Sequence, residues 1–252
     1  MTLRKALRRA YLYIVYGFCK ITGTGAFGPN RAITIHSNLH TDGNPLKTAL
    51  WKHHVKQFHG ASCSVASVVS VVNALRELQA PQPVVISQMD ILEKVKTANW
   101  KERMLDTGYK GRRGLPLAVL GDVVKSSLDA YAITYKTVET VAALKSPHQA
   151  KMIREVLWQR LLGFEERGNC LIIAHFDQGV YVPTLNIPHI SPVGAFDTQT
   201  GEVVILDVDP EVKRPYKIGS DTFYKGLCSN CHRVFKSSAF GRGGYVFVKL
   251  SG

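Results

Sequence analysis

The chain has 252 residues, enough to bury one large hydrophobic core or two small ones. Hydrophobic residues make up 45% of it, which is typical of a globular protein and excludes a disordered chain. Thirty-two Lys and Arg oppose nineteen Asp and Glu, so the formal net charge is +13 and anionic partners are favoured. Because the basic residues are scattered and form no known nucleic-acid motif, we expect no specific nucleic-acid partner.

The first twenty residues join a basic start to an apolar, tyrosine-rich run that ends at Lys20. A signal peptide and a basic amphipathic helix at a membrane surface both fit this pattern, whereas the run is too short to span a bilayer. Both interpretations stay open, and with them a cytoplasmic, membrane-associated or periplasmic location. Residues 1–45 are therefore predicted to form a leader and an irregular arm.

A helix is predicted after Ser62 as N-cap, because Val65, Val69 and Val72 recur at helical spacing. The helix-rich first half and strand-rich second half predict an α+β fold, with a catalytic domain at residues 46–252. Further helices are predicted at residues 86–97, 115–128, 138–144 and 148–164. Strands are predicted at residues 169–176, 181–185, 189–198, 202–208 and 244–250, with a hairpin turn at residues 197–201.

Cys63 opens the predicted helix, where unpaired backbone N–H groups favour a thiolate. A hairpin turn centred near residue 199 places Asp207 diagonally across from His189, so that the carboxylate can hold the imidazole Nδ1. Gln57, six residues before Cys63, can donate its side-chain amide to an oxyanion beside the Cys63 N–H. These four residues predict amide cleavage through an acyl-enzyme.

Each of these residues also has an ordinary structural interpretation. A lone cysteine that begins an apolar helix is more often a packing residue than a nucleophile, and a motif by itself is only a hypothesis. Other histidines compete with His189 for the role of base; they are His53, His54, His59 and His175. The predicted partnership with Asp207 is what favours His189.

Five cysteines are too few for a disulfide framework, and their odd number leaves at least one free thiol. Cys228 and Cys231 form a C-x-x-C pair followed by His232, but no second close pair completes a structural zinc site. We therefore predict no built-in metal or cofactor. Soft-metal capture and a redox pair are the alternatives for these two thiols.

Four segments resemble the phytochelatin synthases, which are papain-like cysteine peptidases acting on glutathione. Gln57, Cys63 and the run ending in Asn-Ala-Leu75 resemble the family's nucleophile segment. Residues 189–194 (His-Ile-Ser-Pro-Val-Gly) resemble its His-Phe-Ser-Pro-Ile-Gly, and residues 203–208 (Val-Val-Ile-Leu-Asp-Val) resemble its Leu-Ile-Leu-Asp-Val. Residues 243–248 are similar to its closing strand. The likeness spans roughly residues 45–250, and agreement at four separate motifs is more specific than any one of them.

The resemblance implies a papain-like fold in which a helical N-terminal half packs on a C-terminal antiparallel sheet. It also implies glutathione as the substrate, with the Cys–Gly amide cleaved through a γ-glutamylcysteinyl-enzyme. The products would be γ-Glu-Cys and, with a second glutathione, short phytochelatins. Cd or Zn would act through a metal–glutathione thiolate. The length resembles the short, prokaryotic-type members, and the oligomeric state stays open, with a homodimer as one alternative.

Some residues depart from the family pattern. Ser64 stands where the family has glycine after the nucleophile, and Pro188 where it has glycine before the histidine. After Asp207 the family carries an arginine that helps to hold the acyl donor, and here Lys213 or Arg214 is predicted to substitute for it. Two alternative functions therefore stay open: a papain-like amidase or peptidase on another amide, and a basic membrane-surface binding module.

Overall fold

A seven-stranded antiparallel sheet runs through the part of the chain that the computed structural model describes, which is residues 3–36, 43–80, 84–144, 146–229 and 242–251. Helices pack on this sheet, so the predicted α+β fold is confirmed. The α-helices are α1 Leu3–Thr22, α2 Pro45–Lys52, α3 Cys63–Gln79, α4 Gln88–Lys94, α5 Trp100–Met104, α6 Leu117–Ala130, α7 Pro147–Arg167 and α8 Ser220–Cys228. The strands are β1 Ile33–Thr34, β2 Tyr135–Ala142, β3 Cys170–Asp177, β4 Pro188–Asp197, β5 Glu202–Ile205, β6 Tyr216–Gly219 and β7 Gly244–Leu250.

The strand order β1-β6-β5-β4-β3-β7-β2 places β4 at the centre of the sheet. Every residue of the neighbouring β3 is buried, as its continuous apolar run predicts. Helix α3 packs on β4, and the Ser67 hydroxyl near its first turn donates to the Ile190 carbonyl at 2.9 Å. The N-terminus of α3 is therefore fixed against the strand that begins with Pro188 and His189.

The hairpin of β4 and β5 contains a bulge that decides its register. Asp197 pairs with Glu202, but beyond the bulge Val193 pairs with Ile205, so β4 has used one extra residue. The Leu206 N–H continues this shifted register by donating to the Pro192 carbonyl at 3.0 Å. Because of the bulge, the residues that follow β5 lie beside the start of β4. Their register is the one that the sequence predicts, with Asp207 diagonally across from His189.

Ser64, which departs from the family pattern, has a packing role in the first turn of α3. Its side chain is fully buried, and its hydroxyl accepts a hydrogen bond from the Trp100 indole N–H at 3.0 Å. Trp100 is itself fully buried. A serine is therefore suited to this position because a buried indole N–H needs an acceptor.

The sequence prediction was wrong for two elements. Residues 138–144 were predicted as a helix, but residues 138–142 belong to the edge strand β2, which pairs with β7. β-Branched residues such as Thr137, Thr140 and Val141 suit that strand. Residues 181–185, predicted as a strand, follow a 3-10 turn at Gln178–Val180 and form irregular chain, where Pro183 cannot donate to a ladder.

Candidate active site

Cys63 is the first residue of α3 and is half-buried. The turn before it is closed by Ser62, whose hydroxyl accepts from the His59 N–H at 2.9 Å and donates to the His59 carbonyl at 2.8 Å. Ser62 occupies the predicted N-cap position, although its side chain caps no helical N–H. The thiol therefore lies at a helix N-terminus, where the backbone N–H groups carry partial positive charge.

His189 and Asp207 form a buried pair. The His189 Nε2 lies 2.8 Å from the Asp207 Oδ1, and the exposed fractions of the two side chains are 4% and 0%. The sequence predicted Nδ1 as the nitrogen on the carboxylate, and this detail is wrong. The ring also interacts with Cys63 at the start of α3, which packs on β4, and the nitrogen that faces the carboxylate is Nε2. His189 is also hydrogen-bonded to Cys63.

The charges of this pair stabilise one another. Burial by itself lowers the pKa of His189, but the Asp207 charge and the hydrogen bonds to Asp207 and Cys63 outweigh burial and raise that pKa to about 10. Burial by itself raises the pKa of Asp207, but the His189 charge and hydrogen bonds lower it to about 2. At neutral pH the pair is therefore an imidazolium and a carboxylate.

Three further groups hold the Asp207 carboxylate. Its Oδ2 accepts from the Tyr216 hydroxyl at 2.8 Å, its Oδ1 accepts from the Asp209 N–H at 2.8 Å, and the Gln178 side-chain amide lies 3.4 Å from Oδ2. Tyr216 and Gln178 are members of the site that the sequence did not predict. Nothing in their local sequence marks them, since they reach Asp207 only through the folding of β6 and of the turn after β3.

Gln57 lies in the loop before α3, next to the Asp207 segment. Its backbone N–H donates to the Val208 carbonyl at 2.8 Å, which joins the loop to the chain after β5. The Gln57 side-chain Oε1 is buried and has no hydrogen-bond partner among the described residues. The structure therefore brings Gln57 to the Asp207–Val208 segment behind the candidate base.

Three of the competing histidines have other surroundings. The His53 Nε2 lies 2.6 Å from the Glu77 carboxylate, and the His54 Nε2 lies 3.0 Å from the Asp207 carbonyl oxygen. Burial lowers the pKa of His54 to about 4. Burial likewise lowers the pKa of His175 to about 4, so that this ring is neutral. None of the three contacts the Asp207 carboxylate, which is the partner that favours His189.

A cavity of about 230 Å³ opens beside Cys63. Its lining includes Arg113 and Gly114 from the loop between α5 and α6, together with His175, Pro188 and Ile190 from the sheet. A larger cavity of about 770 Å³ lies along α7 and contains Cys170 instead. Burial raises the pKa of the Cys170 thiol to about 11, so size alone does not identify the reactive site.

Arg113 supplies positive charge to the cavity beside Cys63. Its Nη2 lies 3.2 Å from the His59 ring nitrogens, and its Nη1 lies 3.5 Å from the Asp106 carboxylate. The Nε of Arg113 is buried and lacks a hydrogen-bond partner within the described part of the chain. A guanidinium in this position has donor capacity left for an anionic ligand.

The predicted substrate-binding residues Lys213 and Arg214 lie elsewhere. The Lys213 ammonium donates to the Pro210 carbonyl at 3.1 Å, and the Arg214 guanidinium lies 3.2 Å from the His36 Nδ1. Neither residue lines the cavity beside Cys63. The chain after Asp209 turns outward before it enters β6, which carries both side chains away from the thiol.

The C-x-x-C pair is only partly described. Cys228 is buried at the end of α8, and its sulfur lies 3.5 Å from the Leu144 carbonyl oxygen. Cys231 and His232 lie outside the described residues. Among the residues that are described, no cluster of three or more His, Cys, Asp or Glu could hold a metal ion.

A helix-borne thiol, a strand-borne imidazole and a buried carboxylate are the arrangement typical of cysteine-dependent acyl-transfer enzymes. The family model for phytochelatin synthase matches residues 35–230, well over half of the chain. The chain therefore belongs to the phytochelatin synthase family, which confirms the resemblance seen in the sequence. This membership implies a glutathione-processing acyltransferase. A search of curated proteins finds no match to the chain.

Proposed function

We propose that the protein cleaves the Cys–Gly amide of glutathione through a γ-glutamylcysteinyl thioester on Cys63. The observation that carries this proposal is the contact chain from Cys63 to His189 to Asp207 beside a cavity, in a chain of the phytochelatin synthase family. The net charge of +13 adds a field that attracts an anionic tripeptide.

In this mechanism the proton of the Cys63–His189 pair resides on His189, and the Cys63 sulfur attacks the carbonyl carbon of the Cys–Gly amide. The Cys63 N–H and the Gln57 side-chain amide stabilise the oxyanion of the tetrahedral intermediate. As the intermediate collapses, the C–N bond breaks, His189 protonates the leaving amine, and glycine departs. The raised pKa of His189 keeps this proton available at neutral pH, and Asp207 holds the ring in place.

The acyl-enzyme then reacts with a second nucleophile. Water, deprotonated by His189, gives γ-Glu-Cys, whereas the amine of a second glutathione gives a short phytochelatin. Cd or Zn enters this scheme as part of the substrate, in the form of a metal–glutathione thiolate. Hydrolysis and transpeptidation share the first half-reaction, so the site on this chain serves both.

We assign the binding of a substrate carboxylate to Arg113. The acyl donor is anionic, and Arg113, whose buried Nε lacks a partner among the described residues, lines the cavity beside Cys63. Lys213 and Arg214, the sequence candidates for this role, lie outside that cavity. Arg113 therefore takes the place of the arginine that the family pattern carries after the catalytic aspartate.

The changed segment after Asp207 also favours one alternative, which is the same thiol acting on a different amide. A panel that compares glutathione with peptides lacking the γ-glutamyl group would separate the two functions. Preference for glutathione supports the proposal, and equal cleavage of ordinary peptides supports the alternative. The α-amide and γ-amide substrates differ in where the free carboxylate lies, which is the feature that Arg113 would read.

Mass spectrometry of the protein incubated with glutathione tests the proposal, with and without Cd²⁺ or Zn²⁺. We expect an adduct of about 232 Da on Cys63, the mass of a γ-glutamylcysteinyl group, and release of γ-Glu-Cys. Cys63→Ser should abolish both signals. Cys19→Ser is the matched control, because Cys19 is also half-buried but lies in α1. Full glutathione cleavage by Cys63→Ser would overturn the mechanism.

A further inference from the structure

Helix α1 exposes a continuous apolar stripe. Large apolar side chains recur along its whole length, and Ile21 and Leu3 are 87% and 76% exposed. At about 100° per residue, the members of the stripe fall within an arc of roughly 60° on the helix surface. The stripe consists of Leu3, Leu7, Ile14, Phe18 and Ile21. Isolated exposed apolar residues are ordinary, but an aligned row of five indicates an interaction surface.

The 3-10 turn that follows α1, at Gly25–Phe27, packs against the opposite side of the helix. Leu12 is buried, and the Tyr16 ring meets the Phe27 ring at a centroid distance of 5.2 Å. On a helix these two residues lie about 140° to 180° from the centre of the stripe. The contacts between α1 and this turn therefore leave the stripe directed away from the turn.

The charge of α1 indicates the kind of partner. The helix contains five basic residues and no acidic one; the basic residues are Arg4, Lys5, Arg8, Arg9 and Lys20. A second copy of this helix would bring equal positive charge to the contact, which disfavours pairing between two stripes. An anionic lipid surface supplies both the missing negative charge and an apolar layer for the stripe.

We propose that α1 lies flat in the interface of an anionic membrane and attaches the catalytic body to it. The helix is about 30 Å long, so the stripe can rest along the headgroup region over its whole length. None of the described helices is both long and apolar enough to cross a bilayer. The attachment is independent of the chemistry at Cys63, and it stands whether or not glutathione is the substrate.

Co-sedimentation of the full chain with vesicles tests this proposal. We expect binding to vesicles that contain phosphatidylglycerol, with much weaker binding to pure phosphatidylcholine and a decrease at high salt. The double variant Ile14→Glu/Phe18→Glu should bind at least about tenfold more weakly, because both substitutions place charge in the apolar layer. Folding of each variant is checked by circular dichroism and by activity in solution.

The matched comparison uses two single variants, Tyr13→Glu and Ile14→Glu. The two residues are adjacent and exposed, and both variants acquire the same charge. Tyr13 lies outside the stripe, so its variant should retain most of the binding that Ile14→Glu loses. Equal losses in these two variants would show attraction by net charge alone and would overturn the proposal. So would absence of binding to anionic vesicles, or a dimer in lipid-free solution that Ile14→Glu dissociates.

Discussion

Replacing Arg113 with glutamine removes the positive charge from the cavity beside Cys63 and keeps a side chain that can still donate hydrogen bonds. If Arg113 binds a substrate carboxylate, the variant should lose affinity for the transition state and leave the thiol and its base in place. Arg112 is the matched control, because it is the neighbouring arginine and is exposed. Arg112→Gln changes the net charge equally but changes nothing in the cavity.

The size of the effect follows from the surroundings of Arg113. A hydrogen bond to a charged group contributes about 1.5–3 kcal/mol. The Arg113 side chain is 39% exposed and also contacts Asp106, so solvent and this carboxylate weaken its attraction for a ligand. We therefore expect Arg113 to contribute about 1–2 kcal/mol to transition-state binding. Its loss corresponds to a decrease of about 5- to 30-fold in kcat/KM for glutathione.

The rate at which Cys63 is alkylated reports the effect of the Arg113 charge without the natural substrate. Iodoacetate is anionic and iodoacetamide is neutral, but both transfer a similar group to a thiolate. The ratio of their rates should fall by about the same factor in Arg113→Gln as the loss of kcat/KM, and should stay near the wild-type value in Arg112→Gln. Equal ratios in all three proteins would refute the assignment of Arg113, even if glutathione cleavage is confirmed.

Three further predictions concern the buried pair and the oxyanion donor. Asp207→Asn should reduce stability by about 3–5 kcal/mol, measured by urea unfolding, because it leaves His189 without its buried counterion. Wild-type stability should decline as pH rises from 6.5 towards about 10, and again as pH falls from 3.8 towards about 2, because the folded pKa of His189 is raised and that of Asp207 is lowered. Urea midpoints across pH check this, and both declines should be smaller in Asp207→Asn than in the wild type. Gln57→Ala should lower kcat for glutathione by about 10²–10³ with little change in KM, and steady-state rates that stay at the wild-type level would exclude it as an oxyanion donor.

The sequence predicted most of what surrounds the thiol, because the relevant signals are local. The helical spacing from Val65 onwards and the glycine at the end of the 197–201 turn each determine structure within a few residues. The bulge between Val193 and Ala195 has no clear sequence signal, yet it completes the register that brings Asp207 to His189. The turn position predicts the contact between His189 and Asp207. Which nitrogen of the His189 ring faces Asp207 depends on the packing of α3 on β4, which the sequence does not show.

Elements whose structure depends on distant partners could not be read from the sequence. The residues of β2 fit a helix or a strand about equally well, and seven paired positions with β7 decide the outcome. Arg113 was missed for the same reason. It reaches the cavity beside Cys63 from a loop fifty positions along the chain, whereas the family pattern has its cation in the segment after Asp207.

The site is positioned by the backbone of two distant segments as much as by its own side chains. The loop before Cys63 contacts the 207–208 carbonyls three times, through the His54 ring, the Lys56 ammonium and the Gln57 N–H. Each of these bonds links the segment that carries the oxyanion donor and the nucleophile to the segment that carries the carboxylate. A change in either segment therefore moves thiol, donor and carboxylate together. We therefore expect substitution of a residue such as Lys56, which holds the two segments together, to change kcat more than KM.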